Sequence, residues 1–161
     1  MILEDMEDFL DQIPSKGALM GLDLGTKTIG IAVSDLERTV ATGIKTIRRT
    51  KFHLDLKILE GFIDDRNIKG LVLGLPKNMN GTEGPRCQST RAFAKNVLLA
   101  TTTPITFWDE RLSTVVAERS LLEANTSRKR RAEVIDHVAA SFILQGALDR
   151  LGTIKTRIFN S

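Results

Sequence analysis

Residues 18–35 read Ala18-Leu19-Met20-Gly21-Leu22-Asp23-Leu24-Gly25-Thr26-Lys27-Thr28-Ile29-Gly30-Ile31-Ala32-Val33-Ser34-Asp35. Two apolar runs, Ala18 to Leu24 and Ile29 to Val33, flank a Gly-Thr-Lys turn, the pattern of two adjacent antiparallel strands joined by a tight connection. The hairpin belongs in the middle of a sheet. Asp23, between Leu22 and Leu24, places a carboxylate on one face of an otherwise buried strand, where a charge is costly unless something pairs it. A divalent cation, a nearby Lys or Arg, or the backbone N–H groups of the Gly25–Lys27 turn would each serve. The first is common where oxygen ligands gather at a catalytic site.

Working outward, Thr39 to Ile47 reads as a third strand, and the basic residues around it, Lys45, Arg48, Arg49 and Lys51, read as a solvated patch. Phe52, Leu56, Leu59 and Ile63 have helical period, a crossover helix. Ile68 to Leu75 is short and almost continuously apolar, the pattern of a strand buried on both faces and parallel to the first. The polar loop Lys77 to Arg86 follows its carboxyl end, where open α/β sheets place their sites. Ser89 to Ala100 reads as a second helix. Thr103 to Trp108 reads as a fifth strand, with at least one of Phe107 and Trp108 in the core.

At the end of that strand stand Asp109, Glu110 and Arg111. Adjacent strand residues point to opposite faces, so one carboxylate looks towards Asp23 while the other pairs with Arg111 or caps a helix over Leu112 to Ala124. A last helix is expected over about Lys129 to Leu151. In it Asp136 lies three, four and seven residues before Ala139, Ala140 and Ile143, so it shares a face that becomes apolar. Small residues at 139 and 140 would let this helix approach the sheet and bring Asp136 towards Asp23. The run Arg128-Lys129-Arg130-Arg131 sits at its first turn, where the macrodipole disfavours cations and a phosphate would offset the cost.

Length and composition bound the reading. With 161 residues the chain is one domain's worth, long enough for a core without disulfides. No apolar run approaches the roughly 20 residues that cross a bilayer. Met1 to Asp11 is acidic, unlike a secretory leader. The single cysteine, Cys87, leaves no internal disulfide and no zinc spacing, which fits a reducing cytoplasm. The net charge of +3 hides an acidic first 17 residues, leaving about +7 on the remainder, a balance that suits a polyanionic partner. The organisation expected is an acidic appendage over 1–17, carrying a short amphipathic helix ended near Pro14, then one domain over 18–152 and a tail over 153–161.

These pieces form one constellation: Asp23, Glu110 and Asp136, surrounded by Lys27, Lys77, Arg86, Arg111 and the 128–131 run. Three acids from distant segments suit two Mg²⁺ or Mn²⁺ ions about 4 Å apart, one generating hydroxide and the other stabilising the leaving oxygen of a phosphodiester. The cations would hold the phosphate backbone. His137, with no partner at an identifiable spacing, reads as a plain helix residue.

The chain resembles the YqgF family of RNase H-like nucleases, also called pre-16S rRNA nucleases and related to bacterial Holliday-junction resolvases. The resemblance runs from Ala18 to Leu151. It is carried by Gly21 to Asp35, by Gly74-Leu75-Pro76-Lys77-Asn78-Met79-Asn80-Gly81-Thr82-Glu83-Gly84, by Asp109-Glu110-Arg111-Leu112-Ser113-Thr114 and by Ile135-Asp136-His137-Val138-Ala139-Ala140. It implies an RNase H-like α/β fold with a five-stranded mixed sheet of order 3-2-1-4-5 and helices on both faces. It also implies metal-dependent phosphodiester cleavage through acids matching Asp23, Glu110 and Asp136, on a pre-rRNA or a four-way DNA junction. The first 17 residues exceed the usual start. A junction resolvase would act as a homodimer, whereas strand trimming suits a monomer.

Two other classes compete. Asp-Leu-Gly-Thr-Lys also resembles the phosphate-binding hairpin of actin-like ATPases and sugar kinases, but those close two such domains over a nucleotide. A module that keeps the acids and binds nucleic acid without cutting is the other.

Overall fold

The computed structural model describes the backbone of residues 1–112 and 128–160, and the side chains of 1–112 and 137–160. Leu19–Leu24 (β2) is buried along its whole length and pairs antiparallel with Thr28–Ser34 (β3). Gly25 closes the turn between them by donating its N–H to Thr28 O at 2.9 Å. Ala41–Arg48 (β4) continues antiparallel beyond β3, with a register shift between Ile31 and Ala32. On the other side of β2, Gly70–Leu75 (β5) and Ile105–Asp109 (β6) run parallel to it. The expected five strands therefore occur in the expected order.

A sixth strand corrects the expected count. Ile2–Leu3 (β1) pairs parallel with the free edge of β6, so the sheet order is β1-β6-β5-β2-β3-β4. A two-residue edge strand has no alternation to read, and its place is set by hydrogen bonds: Ile105 N–H donates to Met1 O at 2.9 Å and Thr106 Oγ1 to Leu3 O at 2.7 Å. The short helix expected before Pro14 is Met6–Gln12 (α1), capped by Asp5, whose carboxylate accepts from Glu7 N–H at 2.7 Å. Its Phe9 is fully buried against Gly70.

The period of two along β2 separates two cores. Met20, Leu22 and Leu24 face Phe52–Asp65 (α2) and Pro85–Leu98 (α3), and pack with Leu59, Ile63, Phe93 and Val97. Leu19 and Gly21 face the long helix Arg128–Asn160 (α4), whose Ala140, Ile143, Leu144 and Ala147 are fully buried. The helix comes close at Gly21: a Cβ there would stand 2.7 Å from Leu144 Cβ and 3.1 Å from Ala140 O. The expected close approach of the Ala139–Ala140 stretch is thus observed. α4 runs on past Leu151 to Asn160, with Ile154 buried. α3 begins at Pro85 rather than Ser89, because Pro suits a first helical turn that lacks N–H acceptors. Phe107 and Trp108 are both buried, on opposite faces. The helix expected over Leu112 to Ala124 lies outside the described residues, apart from a 3-10 turn over Glu110–Leu112. No helix among the described residues is long and apolar enough to cross a membrane.

Candidate active site

Three parallel strands, β2, β5 and β6, end on one edge of the sheet: Asp23 lies near the end of β2, Lys77 follows β5 and Glu110 follows β6. Asp23 is only 6 % exposed although ionisable. Alternation puts it, with Leu19 and Gly21, on the face covered by α4. Its register partner on β3 is Gly30, and the pairing Leu22↔Leu73 on the other side, extended by one residue, sets it beside Gly74. Both flanking positions therefore lack a side chain. Glu110 is likewise 6 % exposed and reaches the same face: a Cβ built on Gly74 would stand 3.1 Å from Glu110 Oε1 and overlap Ile143 Cδ1. The missing side chain at Gly74 thus lets Ile143 and the Glu110 carboxylate approach the strand where a methyl group would collide with them.

The other carboxylate of the pair behaves as alternation requires. Asp109 accepts from Arg111 Nη2 at 2.7 Å and from Arg111 Nε at 3.1 Å, and this pairing holds its carboxyl below the ordinary range, with Lys77 adding to the effect. Arg111 also donates to Met79 O at 3.3 Å, so it ties the end of β6 to the loop after β5. That loop is a built turn: Asn78 N–H donates to Thr82 O and Gly81 N–H to Asn78 O, with Gly81 at a φ of +88°.

Asp136 falls within α4, one turn before Ala140, and its side chain lies outside the described residues. The same holds for Arg128, Lys129, Arg130 and Arg131. Among the described residues no group of three metal-ligating side chains gathers. Of the other expected cations, Lys27 is exposed in the β2–β3 turn, Lys77 is half-buried after β5, and Arg86 is exposed in the first turn of α3. All stand at or beside the carboxyl edge.

Arg49, which the sequence places in a solvated patch, is built into the hairpin. Its Nη1 donates to Gly25 O at 2.6 Å, its N–H to Lys27 O at 2.8 Å, and its guanidinium lies 5.7 Å from the Phe93 ring centre. The signal in the sequence was the antiparallel return of the third strand, which pairs Thr28 with Arg48 and so carries residue 49 to the turn. His137 is a packed helix residue, with Nδ1 at 3.0 Å from Thr46 Oγ1. Cys87 is fully buried, and burial pushes its thiol up, away from the reactive thiolate.

Solved structures share this fold. The fold matches Thermus thermophilus RuvC in complex with a Holliday junction substrate, with a TM-score of 0.54 at 10% identity, covering 85% of this chain and 97% of that one. It also matches the yeast mitochondrial Holliday junction resolvase Ydc2, with a TM-score of 0.52 at 10% identity over 94% of this chain and 86% of that one. The architecture is therefore the RNase H-like α/β fold.

The family model described as RuvX, Holliday junction resolvase, matches residues 17–150, and the chain belongs to that family, also known as YqgF. A protein of Roseobacter denitrificans named "Putative pre-16S rRNA nuclease" is 65% identical over 157 residues, 96% of each chain. One of Rhodobacter capsulatus bearing the same name is 66% identical over 151 residues, covering 94% of this chain and 95% of that one. The chain is a member of a nuclease family, hydrolases acting on ester bonds.

Proposed function

We propose that the protein is a divalent-metal-dependent nuclease that processes the 5′ end of precursor 16S rRNA in the bacterial cytoplasm. The observation that carries the reading is the pair of buried carboxylates, Asp23 and Glu110, on one face of the sheet on either side of Gly74. Two carboxylates buried on one face concentrate negative charge that a divalent cation would neutralise. Their hard oxygen donors suit Mg²⁺ or Mn²⁺. Asp23, Glu110 and Asp136 would hold the metal, which when bound supplies Lewis-acid activation of a phosphodiester and of the attacking water.

The chain's own residues set the geometry around it. The stiff β2–β3 hairpin fixes Asp23, and the Asp109–Arg111 pair fixes the backbone on either side of Glu110. Lys27, Lys77, Arg86 and the run from Arg128 to Arg131 attract the phosphate backbone and supply affinity without sequence preference. The nuclease core is taken as 18–152, with the acidic 1–17 segment and the 153–161 tail added to it.

The choice of precursor rRNA follows the names of the relatives at 65% and 66% identity over nearly the full chain. The family description favours a second reading, resolution of four-way DNA junctions, which calls for a two-fold dimer to cut symmetrically, whereas trimming does not. The deciding experiment compares cleavage of a labelled 16S precursor 5′ leader and of a four-way junction with Mg²⁺ or Mn²⁺, for wild type and Asp23→Asn. Metal-dependent RNA cutting that the variant loses supports the proposal. Junction cutting alone moves the assignment to the second reading, and binding without cutting of either substrate overturns the catalytic one.

A further inference from the structure

β2 ends differently on its two faces. Asp23 faces α4, whereas on the opposite face Gly25 and Thr26 form one wall of a cleft of about 430 Å³, closed by Arg49 and Thr50 after β4 and by Arg86 and Ser89 on α3. Two guanidinium groups and several hydroxyls line it, and no carboxylate does. The clefts beside Asp149, Asp11 and Asp109 each include at least one acid.

The cleft is also pre-organised. Arg49 is locked by Gly25 O and by the Phe93 ring, which commits one of its five N–H donors. Thr50 is pinned by the buried carboxylate of Asp55, which accepts from its N–H and its Oγ1, both at 3.0 Å. Arg86 is exposed and makes no ion pair among the described residues. A fixed guanidinium beside an uncommitted one, with hydroxyls between, is the donor set that recognises a phosphate diester. The volume lies within the range of about 300–1,000 Å³ typical of small-ligand sites, room for a sugar-phosphate segment rather than a bare ion.

We propose that this cleft is a phosphate subsite that grips the nucleic-acid backbone on the face of β2 opposite the acids. It rests on the nuclease reading: a strand with one phosphate at Asp23 would cross the Gly25–Thr26 turn and set a neighbouring phosphate between Arg49 and Arg86. The subsite would hold the strand whether or not metal is bound, so substrate affinity and the chemical step draw on separate groups.

The test is binding of a short labelled single-stranded RNA to the full chain in EDTA, across a salt series. Arg86→Gln should lower affinity several-fold and reduce the slope of log K against log salt by about 0.7, the value for one phosphate contact on a single strand. Arg86→Lys should restore the slope, because it keeps the charge. Lys95→Gln, which removes the same charge in the last turn of α3, should leave both unchanged. An unchanged slope in Arg86→Gln, or an equal loss in Lys95→Gln, overturns the inference. So does displacement of a nucleoside monophosphate from the cleft with the RNA slope unaltered, which would make it a free-nucleotide site. Cleavage with Mg²⁺ is read in parallel: cutting by wild type with no slope change sinks the subsite alone, and a slope change with no cutting sinks the nuclease reading alone.

Discussion

Gly74 and Glu110 share one space at the carboxyl edge of the sheet: a Cβ on Gly74 would come within 3.1 Å of Glu110 Oε1 and would overlap the buried Ile143 side chain. The backbone of β5 thus shapes the site without contributing a ligand to it.

Gly74→Ala should therefore be damaging twice over. Ile143 is fully buried and has little room to give, so overpacking should cost about 1–3 kcal/mol in urea unfolding. A displaced Glu110 should lower single-turnover cleavage by about 100-fold, the scale of a small misplacement of a catalytic group. Full activity in a destabilised variant would show that Glu110 does not depend on that contact.

Asp23→Asn and Glu110→Gln should separate chemistry from folding. Each is expected to reduce cleavage by about 100-fold or more, while thermal stability holds or rises because a buried charge has been removed. Chelation by EDTA should abolish cutting and leave the far-ultraviolet circular dichroism unchanged, with Mg²⁺ or Mn²⁺ restoring activity. Loss of activity together with loss of fold would assign these carboxylates a structural part instead.

Gly21→Ala tests the approach of α4. Its Cβ would stand 2.7 Å from Leu144 Cβ, so the helix must shift, at a cost of about 1–3 kcal/mol. Ala140, whose carbonyl also faces Gly21, is one turn from Asp136, so cleavage should fall as well. Denaturant melts and initial rates on one preparation would check both.

Stability should depend on acid through Glu83. Arg91 bonds it at 2.6 and 2.8 Å, a pairing that holds its carboxyl below the ordinary range, and Arg91 also reaches Glu4 at 2.6 Å. With the folded-state value depressed, the contribution is complete above the unfolded-state value of about 4.3 and disappears as pH falls through the folded-state one. The melting temperatures of wild type and Glu83→Gln should differ at pH 7 and converge as pH falls below about 4. Curves that stay parallel would mean that the network adds nothing to folding.

Much of this is legible in the sequence alone. The hairpin from Ala18 to Ser34 announces itself because its strands are buried on both faces, and Asp23 stands out as the one charge within them. Alternation at Asp109 and Glu110 requires the two carboxylates to face opposite sides, and the structure pairs Asp109 with Arg111 and buries Glu110 beside Gly74. What stayed hidden depended on contacts that leave no local pattern. β1 is too short to alternate, the helix start at Pro85 depends on a single capping position, and α4 continues past Leu151 with Ile154 as its buried residue there. Arg49 looks like any surface cation until β4 returns it to the Gly25 carbonyl. The bonds of Arg111, expected to touch nucleic acid, to Asp109 and to Met79 O are among the contacts that leave no local pattern.

β1 carries a consequence for the behaviour of the protein in bulk. With Ile2 and Leu3 in place, the outer rim of β6 is occupied, and Phe9 plugs the surface over Gly70. A chain trimmed to Ala18 would present a bare row of backbone donors and acceptors, an invitation to strands from neighbouring molecules. Such a shortened protein should scatter light and cloud on concentration while its circular dichroism still reports a folded sheet, so these first residues act as a gasket against self-association.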